Sequence, residues 1–252
     1  MAKTASDVMA MIRENGIQMV DFKMVDINGQ YRHVTIPAEN FSEDTMKSGI
    51  GFDASNYGYA VVEKSDMVFI PDPDTAVIDP FCSIPTLSMT GNAMIIASPE
   101  NRPLPQYPRN IIRAAVDYMK ASGVADTMKI LPEFEFYLFD NVGWEVSANC
   151  VGANIDAVQS YWNSATEGRG VVVPKQKNYH IAKPFDVAYE CRSEMCLHML
   201  DAGIEINYHH PEVAASGQFE IEPQLGEVMH MADATMMIKY IIHNTALKYG
   251  KS

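Results

Sequence analysis

Apolar residues recur at helical spacing over 6–15, with Gly16 placed to stop a helix, and the chain then changes to two extended runs, 19–27 and 31–36. Asn28-Gly29 lies between them. Asn-Gly suits a tight hairpin turn, whose central positions need positive φ, so these runs are expected to pair antiparallel. The pattern then predicts a short helix near 41–47 and strands near 66–70, 76–78 and 93–97, a small α+β unit. Between residues 97 and 110, Pro99, Pro103, Pro105 and Pro108 remove backbone donors and push their predecessors toward extended conformations. The boundary is expected there, giving domains over 1–100 and 106–252.

Beyond the boundary, Ile111, Ile112, Ala115, Val116 and Met119 fall on one side of a predicted helix over 110–122, which Gly123 ends. A strand is predicted over 128–139. Residues 141–183 are rich in Gly, Asn and Ser without a sustained period, and are expected to form a long, functional loop region. A helix over 186–202, strands over 204–209 and 218–221, and a long helix over 228–249 ending at Gly250 complete the reading. Met229, Met236 and Met237 read as core filler in that last helix.

Composition narrows the function classes. With 19 Lys plus Arg against 32 Asp plus Glu, the 252-residue chain carries a formal net charge of -13 and would be repelled by a phosphate backbone, so nucleic acid is not an expected partner. The first residues lack an apolar signal core, and the longest apolar runs, such as 93–97, fall far short of a bilayer span. Neither secretion nor membrane insertion is expected. Cys82, Cys150, Cys191 and Cys196 have no CxxC spacing, and are expected as reduced thiols in a cytoplasmic protein.

The candidate chemistry is acidic. In Leu131-Pro132-Glu133-Phe134-Glu135-Phe136, strand alternation would put Glu133 and Glu135 on one face and the aromatics on the other. Like charges so close suggest a divalent cation between them, while a solvated strand face is the plain alternative. In the stretch from Tyr208-His209-His210-Pro211-Glu212 to Phe219-Glu220, one glutamate follows a strand and another lies inside the next. Oxygen ligation of this kind suits Mg²⁺ or Mn²⁺ better than Zn²⁺. The adjacent His209 and His210 are a weak metal signal by themselves and read equally as structural or surface residues. Gly49-Ile50-Gly51-Phe52-Asp53 reads either as an ordinary turn or as a loop that brings backbone close to a ligand.

Taken in order, Gly51-Phe52-Asp53, Ser65-Asp66-Met67, the Asp72 to Phe81 stretch, Pro132-Glu133-Phe134-Glu135-Phe136, Arg192-Ser193-Glu194, Glu212-Val213-Ala214, Gly217-Gln218-Phe219-Glu220-Ile221 and Lys239-Tyr240 resemble the N-terminal part of a class I-type glutamine synthetase. The resemblance implies a β-grasp-like first domain and the first part of a catalytic domain built from antiparallel strands. It also implies ATP-dependent ligation of ammonia to glutamate through γ-glutamyl phosphate, in a homo-oligomer. One Mg²⁺ or Mn²⁺ would be held by Glu135, Glu212 and Glu220, and a second would use Glu133. Asp53 would bind ammonium and help remove its proton, while His210 and Tyr179 would lie at the nucleotide. The chain departs from the family pattern at Ala54, Asn207 and Leu225. Family chains are nearly twice as long, so 252 residues alone are expected not to complete a catalytic cycle. Two other readings remain: a non-catalytic regulatory or pseudo-enzyme fragment, and a related γ-glutamyl-amine ligase.

Overall fold

Thr4 and Asp7 close the first turn of α1 (Ala5–Glu14) reciprocally, Asp7 N–H donating to Thr4 Oγ1 at 3.2 Å and Thr4 N–H to Asp7 Oδ2 at 2.7 Å. Strands β1 (Met19–Val25) and β2 (Tyr31–Pro37) follow as the expected antiparallel hairpin, with Gly29 at φ 75° in its turn. Val20, Phe22 and Met24 point into the core, where a side chain of this kind contributes about 1.5–3 kcal/mol on full burial. Helix α2 (Glu43–Ser48), capped by Ser42, leads through Gly49 into β3 (Ile50–Asp53). A Cβ at Gly49 would sit 2.4 Å from the Phe69 carbonyl oxygen, and its φ is 76°, so only glycine fits there.

The remaining strands are β4 (Asp66–Pro71), β5 (Val77–Ile78), β6 (Thr86–Met89), β7 (Gly91–Ile95) and β8 (Arg102–Pro103). They build two four-stranded sheets, ordered β2-β1-β6-β5 and β3-β4-β7-β8, with β1 and β6 parallel. The structure, a computed structural model, describes residues 2–162, 170–214 and 216–252. It divides into one unit of Met1–Lys129 with Glu227–Met236 and another of Ile130–Gly226 with Met237–Ser252.

Three expectations are corrected in the first unit. The Gly-rich segment ending at Asp53 is a strand paired with β4, not a turn. Strand β6 has no counterpart among the predicted elements. Helix α3 (Pro108–Ala121) leaves Ile111 and Ala115 exposed, because what anchors it is polar. Asn110 Nδ2 donates to the carbonyls of Ala93 and Leu104 at 2.7 and 3.0 Å, and Arg109 pairs with Asp72 and Asp233, each at 2.7 Å.

The outer face of β1 is unusual for a sheet. Lys23 is buried there, its Nζ donating to Asp21 Oδ2 at 2.6 Å, Asp79 Oδ2 at 3.0 Å and Ser88 Oγ at 2.9 Å.

Beyond α3 the predicted strand over 128–139 is broken. A short β9 (Lys129–Ile130) precedes Leu131-Pro132-Glu133, and β10 (Phe134–Tyr137) begins only afterwards, since Pro132 has no N–H to give a ladder. Within 141–183 the expected loop is instead partly a hairpin, β11 (Asn141–Val146) with β12 (Val151–Asp156). Residues 163–169 of that stretch lie outside the described residues. Helix α4 (Tyr189–Asp201), strands β13 (Ile206–Pro211) and β14 (Gln218–Pro223), the short β15 (Gly226–Glu227) and α5 (Val228–Lys248) lie where the pattern placed helix or strand, apart from β15. Among the described residues no helix is long and apolar enough to cross a membrane.

Candidate metal centre

Strands β10, β14 and β13 form one antiparallel sheet in that order. The register sets Glu135 opposite Glu220, Glu220 opposite His210, and Glu222 opposite Tyr208. Because side chains alternate along a strand, these residues share one face, and Phe134, Phe136, Phe219, Ile221 and His209 share the other. Aromatic contact seals the second face, the ring centroids of Phe136 and Phe219 lying 6.4 Å apart. The Arg192 guanidinium lies 4.5 Å over the Phe219 ring.

Local polar contacts fix the acidic face. Gly217, at φ 86°, turns the chain into β14, and a Cβ there would lie 2.9 Å from the Leu138 carbonyl oxygen. Buried Asn178 donates from Nδ2 to the backbone oxygens of Glu212 and Gln218 at 3.0 and 2.9 Å, tying the end of β13 to the start of β14. Gln218 accepts from the Ala214 N–H at 2.6 Å and donates to Glu135 Oε2 at 2.8 Å. Ala215, in the same small-residue connection, lies outside the described residues.

Two sets of ligand atoms converge among the described residues, each within 4.8 Å: His210 with Glu212 and Glu220, and Glu133 with Glu220 and Glu222. Glu220 belongs to both. Glu212, Glu220 and Glu222 are only 8%, 7% and 7% exposed, whereas Glu133 is exposed and precedes β10 instead of lying on it. Glu135 faces Glu220 across the strand pair but is held by Gln218 and stands outside both sets. The structure thus gathers Glu212 and Glu220 with His210, where the resemblance implied Glu135.

Burial, then contact with Glu212 and the charges of Glu133 and Glu135, push the Glu220 carboxyl up to about 7. His210 Nδ1 is 3.6 Å from Glu212 Oε2 and its Nε2 is 3.7 Å from Glu220 Oε2, both too long for hydrogen bonds. Crowded, buried carboxylate oxygens with one imidazole are a donor set that fits a hard divalent cation of the Mg²⁺ or Mn²⁺ kind.

A cavity of about 860 Å³ adjoins His210, lined also by Tyr179, His180, Lys183, Arg192 and Tyr208. Tyr179 stacks on His180 at 3.9 Å between centroids, and His180 meets His210 at 4.4 Å. His209 is the structural member of the histidine pair. Its Nδ1 accepts from Arg192 Nε at 3.2 Å, and burial, with the Arg192 charge, lowers its pKa and keeps the ring neutral. Asp53, in the first unit, is exposed, and its Oδ1 accepts from Ser55 N–H at 2.8 Å and Ser55 Oγ at 2.7 Å. Those bonds hold its carboxyl below the usual range.

Sequence reasoning missed Glu222, Asn178, Gln218 and His180 as parts of this face. For Glu222 the signal was present, since Glu220-Ile221-Glu222 repeats the alternation of Glu133-Phe134-Glu135.

The family profile described as glutamine synthetase, catalytic domain, matches residues 105–252, and that of the glutamine synthetase beta-Grasp domain matches 16–95. The chain is 36% identical over 257 residues to 3-hydroxylaminophenol mutase of Cupriavidus pinatubonensis, covering 100% of this chain and 54% of that protein. To glutamine synthetase of Aquifex aeolicus it is 36% identical over 249 residues, covering 98% and 53%. To that of Escherichia coli K12 it is 35% identical over 257 residues, covering 99% and 54%. The fold matches the cryo-electron-microscopy structure of Plasmodium falciparum glutamine synthetase with a TM-score of 0.86 at 21% identity, over 99% of this chain and 50% of that one. A GmaS/ADP complex matches with a TM-score of 0.75 at 20% identity, over 100% and 50%. The chain therefore spans about half the length of the relatives it matches.

Proposed function

Because the chain belongs to the glutamine synthetase family, with a β-grasp first domain, we propose that it carries part of a site for ATP-dependent ligation of ammonia to glutamate through γ-glutamyl phosphate. The observation that carries this reading is the acidic sheet face, where Glu220 belongs to two converging ligand sets beside an aromatic cavity. Residues 1–100 and 106–252 are the two domains of this reading. Glu133, Glu212 and Glu220 are its Mg²⁺ or Mn²⁺ ligands, and Glu135, which faces Glu220, joins them on release from its bond with Gln218. When bound, such a cation neutralises charge on a transferring phosphoryl group. Tyr179 and His210 orient a nucleotide in the cavity, and Asp53, held ionised by Ser55, attracts ammonium. A cytoplasmic homo-oligomer is the setting of this reading.

The name of the mutase relative, at 36% identity, favours a second reading in which the same face serves another reaction, one that need not consume ATP. The test is calorimetric titration of the 252-residue chain with a non-hydrolysable ATP analogue and Mg²⁺. Binding is expected, lost in Glu220→Ala and weakened in Tyr179→Ala. No binding by the unaltered chain, or binding indifferent to both substitutions, would overturn the ligase reading.

A further inference from the structure

We propose that Tyr208 is the stacking platform of the cavity beside His210, the face on which the planar aromatic ring of a bound ligand lies. The proposal rests on the reading of that cavity as a ligand site and names the chemistry its wall selects, through a residue that the family resemblance does not assign. Three observations carry it.

The first is a break in the strand register. Ile206 pairs with Pro223 but Tyr208 with Glu222, so Asn207 is an extra residue in β13. Bulges of this kind re-aim side chains, and here two consecutive residues reach one carboxylate. The Tyr208 hydroxyl donates to Glu222 Oε2 at 2.5 Å, and Asn207 Nδ2 donates to Glu222 Oε1 at 3.0 Å. The second is the ring itself. It is fixed at its hydroxyl end and stacked against His210, with centroids 5.7 Å apart and 29° between planes, yet Tyr208 stays 50% exposed where it lines the cavity. An aromatic face held in place before binding costs little entropy when a ligand stacks on it.

The third is what the rest of the wall has left to offer. Lys183 Nζ bonds to Glu190 at 2.5 Å, and the terminal nitrogens of Arg192 bond to Asp186, so these cations already have anionic partners. Lys183 Nζ also lies 4.5 Å over the Tyr189 ring, and Tyr179 stacks on His180. Of the three tyrosines in the wall, Tyr208 is the one whose hydroxyl is hydrogen-bonded among the described residues. A cavity with paired charges and open ring surface selects a flat aromatic group, either the purine of a nucleotide or a free benzenoid ring.

The experiment is calorimetric titration of the full 252-residue chain with three probes in the presence of Mg²⁺: a non-hydrolysable ATP analogue, inorganic tripolyphosphate and phenol. The proteins are the unaltered chain, Tyr208→Ala and Tyr208→Phe, with urea unfolding to check that each is folded. Tyr208→Leu, which fills more of the space without a ring, reads the same loss if the alanine variant is unfolded. The analogue is expected to bind about tenfold or more weakly to Tyr208→Ala, the order of one lost stack between a base and an aromatic side chain. Tyr208→Phe keeps the ring and should stay closer to the unaltered protein. Tripolyphosphate has no ring, so its affinity should not change.

Analogue binding unchanged in folded Tyr208→Ala would overturn this proposal and leave the nucleotide reading standing. Equal losses for the analogue and tripolyphosphate would also overturn it, because Tyr208 would then act through the structure of the wall. Phenol bound with the expected dependence on Tyr208, with no binding of the analogue, would uphold the platform and overturn the nucleotide reading. Binding of neither ring by the unaltered chain would overturn both.

Discussion

Replacing Arg192 by alanine is expected to cost about 3–5 kcal/mol of folding stability, the range for removing one partner of a buried ion pair. Arg192 is 1% exposed, and its two terminal nitrogens donate to Asp186 at 2.8 and 2.7 Å. Truncation strands the Asp186 carboxylate, 6% exposed, without its cation. It also removes the guanidinium from the Phe219 ring and the donor from His209. Arg192→Lys keeps the charge but loses the planar fork, so an intermediate cost is expected. Joint replacement, Arg192→Met with Asp186→Leu, should recover much of the loss because no ion stays buried. Equilibrium urea unfolding measures all of these, and a cost below about 1 kcal/mol for Arg192→Ala would match an exposed pair, not a sealed one.

Lys23→Met should cost a similar amount near neutral pH, about 3–5 kcal/mol, by leaving Asp21 and Asp79 buried without their shared cation. The pH dependence distinguishes this from a packing defect. Burial alone would raise the Asp21 carboxyl, but the Lys23 charge and hydrogen bonds from Lys23, Thr35 and His33 outweigh it and lower the pKa. In the unaltered chain that lowered pKa contributes stability present above the ordinary carboxylate range and lost as pH falls through the folded value. Without Lys23 burial dominates and the pKa rises, so the variant regains stability as Asp21 takes up a proton. The difference between the two proteins should therefore shrink as pH falls from about 7 toward about 4, the ordinary carboxylate range. A difference independent of pH would assign the loss to packing.

Local signals in the sequence located most elements. Asn28-Gly29 marked the β1–β2 hairpin, and Gly16 and Gly123 marked helix ends, because left-handed backbone selects glycine. The β11–β12 hairpin was missed although Val142, Trp144 and Val146 alternate with Asn141, Gly143 and Glu145. Its Gly, Asn and Ser content masked that alternation, and its two strands are largely exposed. Strand β3 was hidden by Gly49 and Gly51, which read locally as a turn, whereas pairing with β4 is a long-range matter. The carboxylates of the site were legible as types, but not their grouping. Which of Glu133, Glu135, Glu212, Glu220 and Glu222 meet depends on register and on Gln218 diverting Glu135, neither of which a single sequence encodes locally. Arg192 and Asp186 gave no signal as partners, since one lies on a helix and the other in the segment before it.

That the acidic face of β10, β14 and β13 is a divalent-cation site is tested most directly by crystals of the 252-residue chain grown with Mn²⁺ and measured for anomalous scattering at the manganese edge. The account predicts an anomalous peak within bonding distance of a Glu220 carboxylate oxygen and of at least one of Glu212 and Glu222, at about the 2.0–2.6 Å of hard-cation oxygen ligation. A map with no peak at Glu220, or with manganese bound only elsewhere on the chain, would contradict it.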